Sequence, residues 1–348
     1  PAQQAARSDG RSPRAILAPT LSDTLAAYYA GQSKIFAVSG KDRGAVSMAG
    51  HIGKAFWFST DSGDFVTSKY YYADYPDWAK KWNSQRKAES YAGESWELAD
   101  DAATYLLYSR DDRPYESNLK GYGRTFPHLF GDAEDKLLNT RLLASPVVDQ
   151  LTLDFAKTLV KAEELGKDWI PDYLSVSFSG VDAVNHFFGP SSLEQEALIR
   201  QLDQTIAELL KYIDKAVGLK HTLIVLSADH GIADMPEYMA DLGMDTGRVY
   251  PEDVTAAANA AGLKQFGIKE IVKSFFRPYL YLDRDKISAA GLDQVKVENS
   301  LALALTELDG ISEAVPKSAL GVKHGSATVE MVRRNHNAAR SGDIYVAQ

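Results

Sequence analysis

Two short stretches have the residue types that chemistry needs: Ser179-Gly180-Val181-Asp182-Ala183-Val184-Asn185-His186 and Ser227-Ala228-Asp229-His230-Gly231. Each sets an aspartate and a histidine just past a run that reads as a buried β-strand. Carboxylate oxygen and imidazole nitrogen are common protein ligands for zinc. Two such pairs at neighbouring strand ends meet the needs of a two-metal site, in which divalent ions clamp the attacking and leaving oxygens of a phosphoryl transfer. Asp182 and His186 are four residues apart beyond Gly180, so a short loop or helix start can aim both at one ion. Asp229 and His230 are adjacent and would ordinarily diverge, but a twisted backbone beside Gly231 lets each reach an ion. Alone, D-x-x-x-H reads better as a surface helix pair or a cap, and Asp-His as a turn. Their equivalent positions after two strands favour a shared metal site.

A third stretch, Lys41-Asp42-Arg43-Gly44, also follows a strand-like run. A phosphate monoester dianion has three non-bridging oxygens. Those that two metals and a nucleophile leave unsatisfied suit a lysine and a forked arginine. A spacing of two lets Lys41 and Arg43 point the same way from an extended segment. Taken alone, the stretch reads more simply as a solvated salt bridge around Asp42.

The elements that must position these residues alternate. Ala15 to Tyr29 reads as a helix from the spacing of Ile16, Leu17, Leu21, Leu25 and Ala26, and Lys34–Ser39 as a strand. Val147 to Leu165 reads as a helix stopped by Gly166, and Tyr173–Phe178 as the next strand. Ser191-x-x-Glu194 is a capping box for a helix whose stripe runs from Leu198 to Ile213. Thr222–Ser227 then reads as a third strand. Strand–helix alternation implies an α/β fold, a mostly parallel sheet sandwiched by helices, whose sites lie beyond the carboxyl ends of the strands. Residues 60–145 are aromatic and weakly periodic, and read as an inserted, cap-like surface segment. The core is then 1–59 with 146–348. Residues 235–290 are irregular, and Ser341–Gln348 looks like a turn entering a strand.

Composition narrows the class. The chain has 348 residues, 45% hydrophobic and 24% charged, an ordinary globular balance. A net charge of −9 argues against a broad nucleic-acid-binding face. No run approaches the roughly 18 apolar residues of a membrane span. With no cysteine there is no disulfide framework and no thiol nucleophile. The first residues, Pro1-Ala2-Gln3-Gln4, carry no apolar signal core and no initiator Met, which reads as a processed or excerpted chain.

The motifs V-S-x-K-D-R-G-A, S-F-S-x-x-D-x-V-x-H-x-x-G-P, L-S-A-D-H-G and R-S-G-D-I-Y, in that order, resemble the alkaline phosphatase superfamily. The resemblance runs from about residue 12 to 348. It is closest to the secreted bacterial zinc alkaline phosphatases with a threonine nucleophile and a Lys/Arg phosphate clamp, and the phosphodiesterases and nucleotide pyrophosphatases share the fold. It implies two zinc ions, one on Asp182 and His186 and one on Asp229 and His230, with other divalent metals as alternatives. It implies that Lys41 and Arg43 hold the phosphoryl oxygens, and that a covalent phospho-enzyme forms and is hydrolysed. Small-molecule phosphate esters are the implied substrates, and the periplasm or the cell exterior the implied location.

The chain also departs from the pattern. An aspartate ligand and a threonine or serine nucleophile are expected upstream of Ala15, and a third histidine after the S-G-D-I-Y strand. Asn185 stands where glycine is expected. These departures suggest the middle portion of a longer enzyme. They leave a phosphodiesterase, or a non-catalytic metal- or phosphate-binding domain, as alternatives. His324-Gly325-Ser326 imitates the missing histidine motif but precedes the strand that the motif should follow. His51 reads as a packed structural histidine, and His128, His221 and His336 as surface residues. Tyr70–Trp82 read as packing aromatics, and Asp234 and Glu237 as solvated loop residues.

Overall fold

Every residue of Ile35-Phe36-Ala37-Val38-Ser39 is buried, as expected for an inner strand covered on both faces. The structure, a computed structural model, describes residues 10–321 and 326–348. His324 of the histidine motif therefore lies outside the described residues. The chain divides into two compact units, Pro1–Met235 and Pro236–Gln348, a boundary that hydrophobic periodicity does not mark.

In the first unit the strands are β1 (Ile35–Ser39), β2 (Lys54–Phe58), β3 (Phe65–Val66), β4 (Ser95–Trp96), β5 (His128–Leu129) and β6 (Tyr173–Ser177). The main sheet has the order β3-β2-β1-β6. β1 runs parallel to β2 and to β6, with Ser39 opposite Ser177, and β3 is antiparallel to β2. The period-2 alternation of β1 sends its side chains to opposite faces. Ala37 packs with Ala45, Val46 and Ala49 of the helix Asp42–Ala49. Phe36 and Val38 join Phe56 and Phe155, the last from the helix Val147–Ala162. The expected α/β sandwich is thus present.

Residues 60–145 supply much of that second core layer. Phe65 stacks on Phe155 at 4.5 Å, and Trp82, Trp96, Tyr122, Phe130 and Leu142 are buried with it. Trp82 Nε1 donates to Asp154 at 2.7 Å, the partner a buried indole needs. The aromatics are packing groups as expected, with Tyr70 alone of the Tyr70–Trp82 set strongly exposed.

The second unit holds β7 (Val272–Phe276), β8 (Tyr279–Leu282), β9 (Glu313–Pro316) and β10 (Ile344–Ala347) in the order β7-β8-β10-β9. Its pairs are antiparallel. Helices Pro251–Phe266 and Gln294–Leu305 bury Val254, Ala258, Leu301 and Leu305 with Leu280 and Ile344 of this sheet. The expected terminal strand is β10, but it belongs to this separate sheet. The irregular stretch 235–290 resolves into helices Pro236–Asp241, Pro251–Phe266 and Arg284–Ala289 with β7 and β8.

Four expectations from sequence need correction. The first helix spans Leu21–Tyr28, not Ala15–Tyr29, because Thr20 and Asp23 form a capping box there and Pro19 precedes it. The helix Leu193–Ala216 is capped by Ser192, whose hydroxyl accepts from Gln195 N at 3.1 Å. Ser191 instead donates to Asp234 at 2.6 Å. Thr222–Ser227 forms no strand; Leu223, Val225 and Leu226 are exposed. An apolar run marks what would be buried, but a strand also needs a backbone partner, and among the described residues this run has none.

The fourth correction concerns His128, which is fully buried rather than at the surface. Its Nδ1 donates to Tyr122 O at 3.2 Å, so Nε2 accepts, and Glu194 lies 3.1 Å from it. A carboxyl can donate there only when protonated. Burial pushes Glu194 up to about 8 and His128 down to about 4, so the pair is neutral. Glu116, buried beside Glu194, also rises to about 8.

A raised carboxyl stabilises fully below its unfolded value of 4.5 and loses that contribution as pH rises toward 8. A depressed histidine loses its contribution only as pH falls from 6.5 toward 4. In the overlap the histidine offsets one of the two raised carboxyls, Glu194 and Glu116, and leaves the other. The thermal midpoint of the first unit should therefore fall gently from about pH 4.5 and more steeply between about pH 6.5 and 8. Glu194→Gln, which keeps the donor to His128, should flatten about half of that fall. An unchanged slope in the variant would contradict the assignment.

Candidate active site at the ends of β1 and β6

Small residues bring two loops together beyond the sheet. Ser39, the last residue of β1, receives Lys41 N at 3.0 Å and lies 3.3 Å from the Ser179 hydroxyl. Gly40 N donates to Ser177 O at 3.4 Å. A β-carbon on Gly40 would stand 2.8 Å from Ser179 Cβ, and one on Gly44 would stand 2.7 Å from Ser39 Oγ and 2.9 Å from Ser177 Oγ. Only glycine allows this approach. The sequence carries a signal for the seam that strand periodicity overlooks: Ser-Gly recurs just past two neighbouring strands, at Ser39-Gly40 and Ser179-Gly180.

Across that seam the charged groups converge. Lys41 is the N-cap of its helix, with extended backbone, and its ammonium donates to Asp182 Oδ2. Asp182 lies in the first turn of the helix Gly180–Phe188 and His186 in its last turn. Their i,i+4 spacing puts both on one face, with His186 Nε2 3.5 Å from Asp182 Oδ2. His230 arrives from the chain after residue 227. Its Nε2 lies 3.5 Å from Asp182 Oδ1 and 3.5 Å from Asp229 Oδ2. Burial acts to raise the Asp182 pKa, but the Lys41 bond and charge, with His186 and His230, outweigh it and hold the carboxyl below its ordinary value.

The structure therefore gathers Lys41, Asp182, His186, Asp229 and His230. Arg43 stands outside. Its side chain is 83% exposed and its ion-pair partner is Asp42, 3.8 Å away, which also pairs with Arg11. The expectation that Lys41 and Arg43 point the same way fails, because the helix begins between them: Lys41 is extended and Arg43 is in the first helical turn.

The donor set fits a divalent ion by its chemistry. Ligand atoms about 2.0–2.1 Å from a tetrahedral zinc are roughly 3.3 Å apart along each edge, close to the imidazole–carboxylate separations of 3.5 Å. Asp182 Oδ1 is buried with no hydrogen-bond donor, and Lys41 stands in as the cation on Oδ2. Among the described residues no three His, Asp or Glu side chains are grouped closely enough to hold an ion as they stand.

Comparison with known proteins gives the family. Residues 19–346 match the family of type I phosphodiesterases and nucleotide pyrophosphatases. The chain belongs to that family, within the alkaline phosphatase superfamily. It is 32% identical to alkaline phosphatase PhoV of Synechococcus elongatus over 96% of its length, and 31% identical over 97% to a Myroides odoratus protein named calcium-transporting ATPase. It covers 61% and 62% of those two proteins. The crystal structure of alkaline phosphatase PafA matches 97% of the chain with a TM-score of 0.85 at 28% identity, and the chain covers 65% of that structure.

If the glycine seam holds the two loops together, a methyl group in it should open them. Gly40→Ala should lower stability by about 1–3 kcal/mol through overpacking, read from the denaturant midpoint. A neutral or stabilising result would show that the loops tolerate separation.

Proposed function

We propose that this chain belongs to a zinc-dependent phosphate monoesterase of the alkaline phosphatase type, acting through a covalent phospho-enzyme. The observation that carries this reading is the convergence of one lysine, two histidines and two aspartates past the ends of β1 and β6. Asp182 and His186 would hold one zinc, and Asp229 and His230 the second. When bound, the ions supply positive charge for the phosphoryl oxygens and lower the pKa of water.

The chain's own residues then have defined tasks. Lys41, bonded to Asp182 here, would turn its ammonium to a phosphoryl oxygen of the bound ester. The Asp182 carboxylate would hold the lysine in reach until then. Arg43, turned away from Asp42, would supply a second cation. A second solved PafA structure lends some support. It is of a variant changed at a threonine, an asparagine, a lysine and an arginine, with the arginine two positions after the lysine. Lys41 and Arg43 have that spacing. By the same family reading, the protein works in the periplasm or outside the cell.

The outward position of Arg43 favours a second reading. A diester carries one charge, and a site with Lys41 as its near cation suits it. Turnover of p-nitrophenyl phosphate against bis-p-nitrophenyl phosphate, with added zinc and the intact protein, separates the two. A monoesterase should prefer the monoester, and Lys41→Ala should lower its kcat/KM by about 10²–10³-fold. Preference for the bis-ester, with little effect of Lys41→Ala or Arg43→Ala, would move the enzyme to the diesterase branch. Absence of turnover with either ester would leave a metal- or phosphate-binding domain.

A further inference from the structure

The helix that carries Asp182 and His186 does not cap itself. Its N-cap, Ser179, makes no side-chain capping bond. The Ser179 hydroxyl is turned into the β1 seam, 3.3 Å from Ser39 Oγ and 3.4 Å from Ser177 O. A free amide of the first turn is met from another helix. Asp149, on the helix Val147–Ala162, accepts Gly180 N at 3.1 Å. It is only 1% exposed, and its Oδ2 is buried with no partner. The contact also explains Gly180, whose β-carbon would stand 2.6 Å from Asp149 Oδ2 and 3.2 Å from Ser145 O. A carboxylate sealed under a metal-bearing helix is an expensive group to keep unless its direction matters.

We infer that Asp149 is a positioning residue of the metal site: reaching across from its own helix, it caps the first turn of Gly180–Phe188 and so sets the direction of the Asp182 carboxylate. The inference rests on Asp182 being a metal ligand. Asp182 is two residues past the amide that Asp149 holds, within the same turn, so a loosened cap rotates that carboxylate first. His186, a turn further on, is steadied by the packing of Val184 and Phe188 in the core.

The test is Zn²⁺ affinity of the intact protein, stripped of metal and titrated against a chromophoric chelator, with the thermal midpoint of each metal-free variant measured alongside. Asp149→Ala should weaken zinc binding by about 10–100-fold, the usual effect of losing a group that orients a ligand. Asp149→Asn keeps an acceptor of the same shape and should restore most of the affinity. A lowered midpoint with unchanged zinc affinity in Asp149→Ala would make Asp149 a structural cap only and overturn the inference. If Asp149→Ala does not fold, Gly180→Ala decides by the same readout, since its methyl group must displace the Asp149 carboxylate: weakened zinc binding supports the inference and unchanged binding overturns it. Asp182→Asn separates the two levels. If it leaves zinc affinity intact, the metal reading itself fails and the inference falls with it.

Discussion

The half-buried carboxylate of Asp182 is the point on which the site depends. A carboxylate with limited access to water needs cations or donors around it. Lys41 approaches from the β1 loop, His186 from the same helix, and His230 from the chain beyond residue 227. Each comes from a different element, so the sheet register, the helix start and the glycine seam must all be correct for the charges to meet. The pairing of Ser39 with Ser177 in β1 and β6 brings the two loops to the same height. Gly40 and Gly44 let them touch.

The arrangement follows a general property of parallel sheets. All carboxyl ends of the parallel strands lie on one edge, so loops distant in sequence share a surface there. Asp182 is 141 residues from Lys41 along the chain, yet the two are bonded. The 60–145 segment does its part at the other end of the energetics. Its aromatic side chains thicken the core over the Val147–Ala162 helix, the element that presents Asp149 to the helix Gly180–Phe188.

Much of this was legible in the sequence where one interaction dominates. β1 is a short apolar run buried on both sides and β6 a partly buried one beside it, and the D-x-x-x-H pair has the period of a helix face; both were readable from spacing alone. Features decided by distant partners were not. Thr222–Ser227 has the composition of a strand, but hydrogen-bonded pairing is a property of two segments. His128 carries no local pattern because its partner, Glu194, is 66 residues away. The capping site slipped from Ser191 to Ser192 because either serine suits the role, and Asp234 claims the first. Arg43 was placed with Lys41 by a spacing rule for extended chain, and the helix beginning at Asp42 breaks that rule.

The most direct test of the central claim is anomalous diffraction at the zinc edge from crystals of the intact, zinc-loaded protein. The account predicts one peak within about 2.0–2.2 Å of side-chain atoms of Asp182 and His186. It predicts a second, roughly 3.5–4 Å from the first, on Asp229 and His230. Zinc bound at other side chains, or no peak beside Asp182, would contradict it.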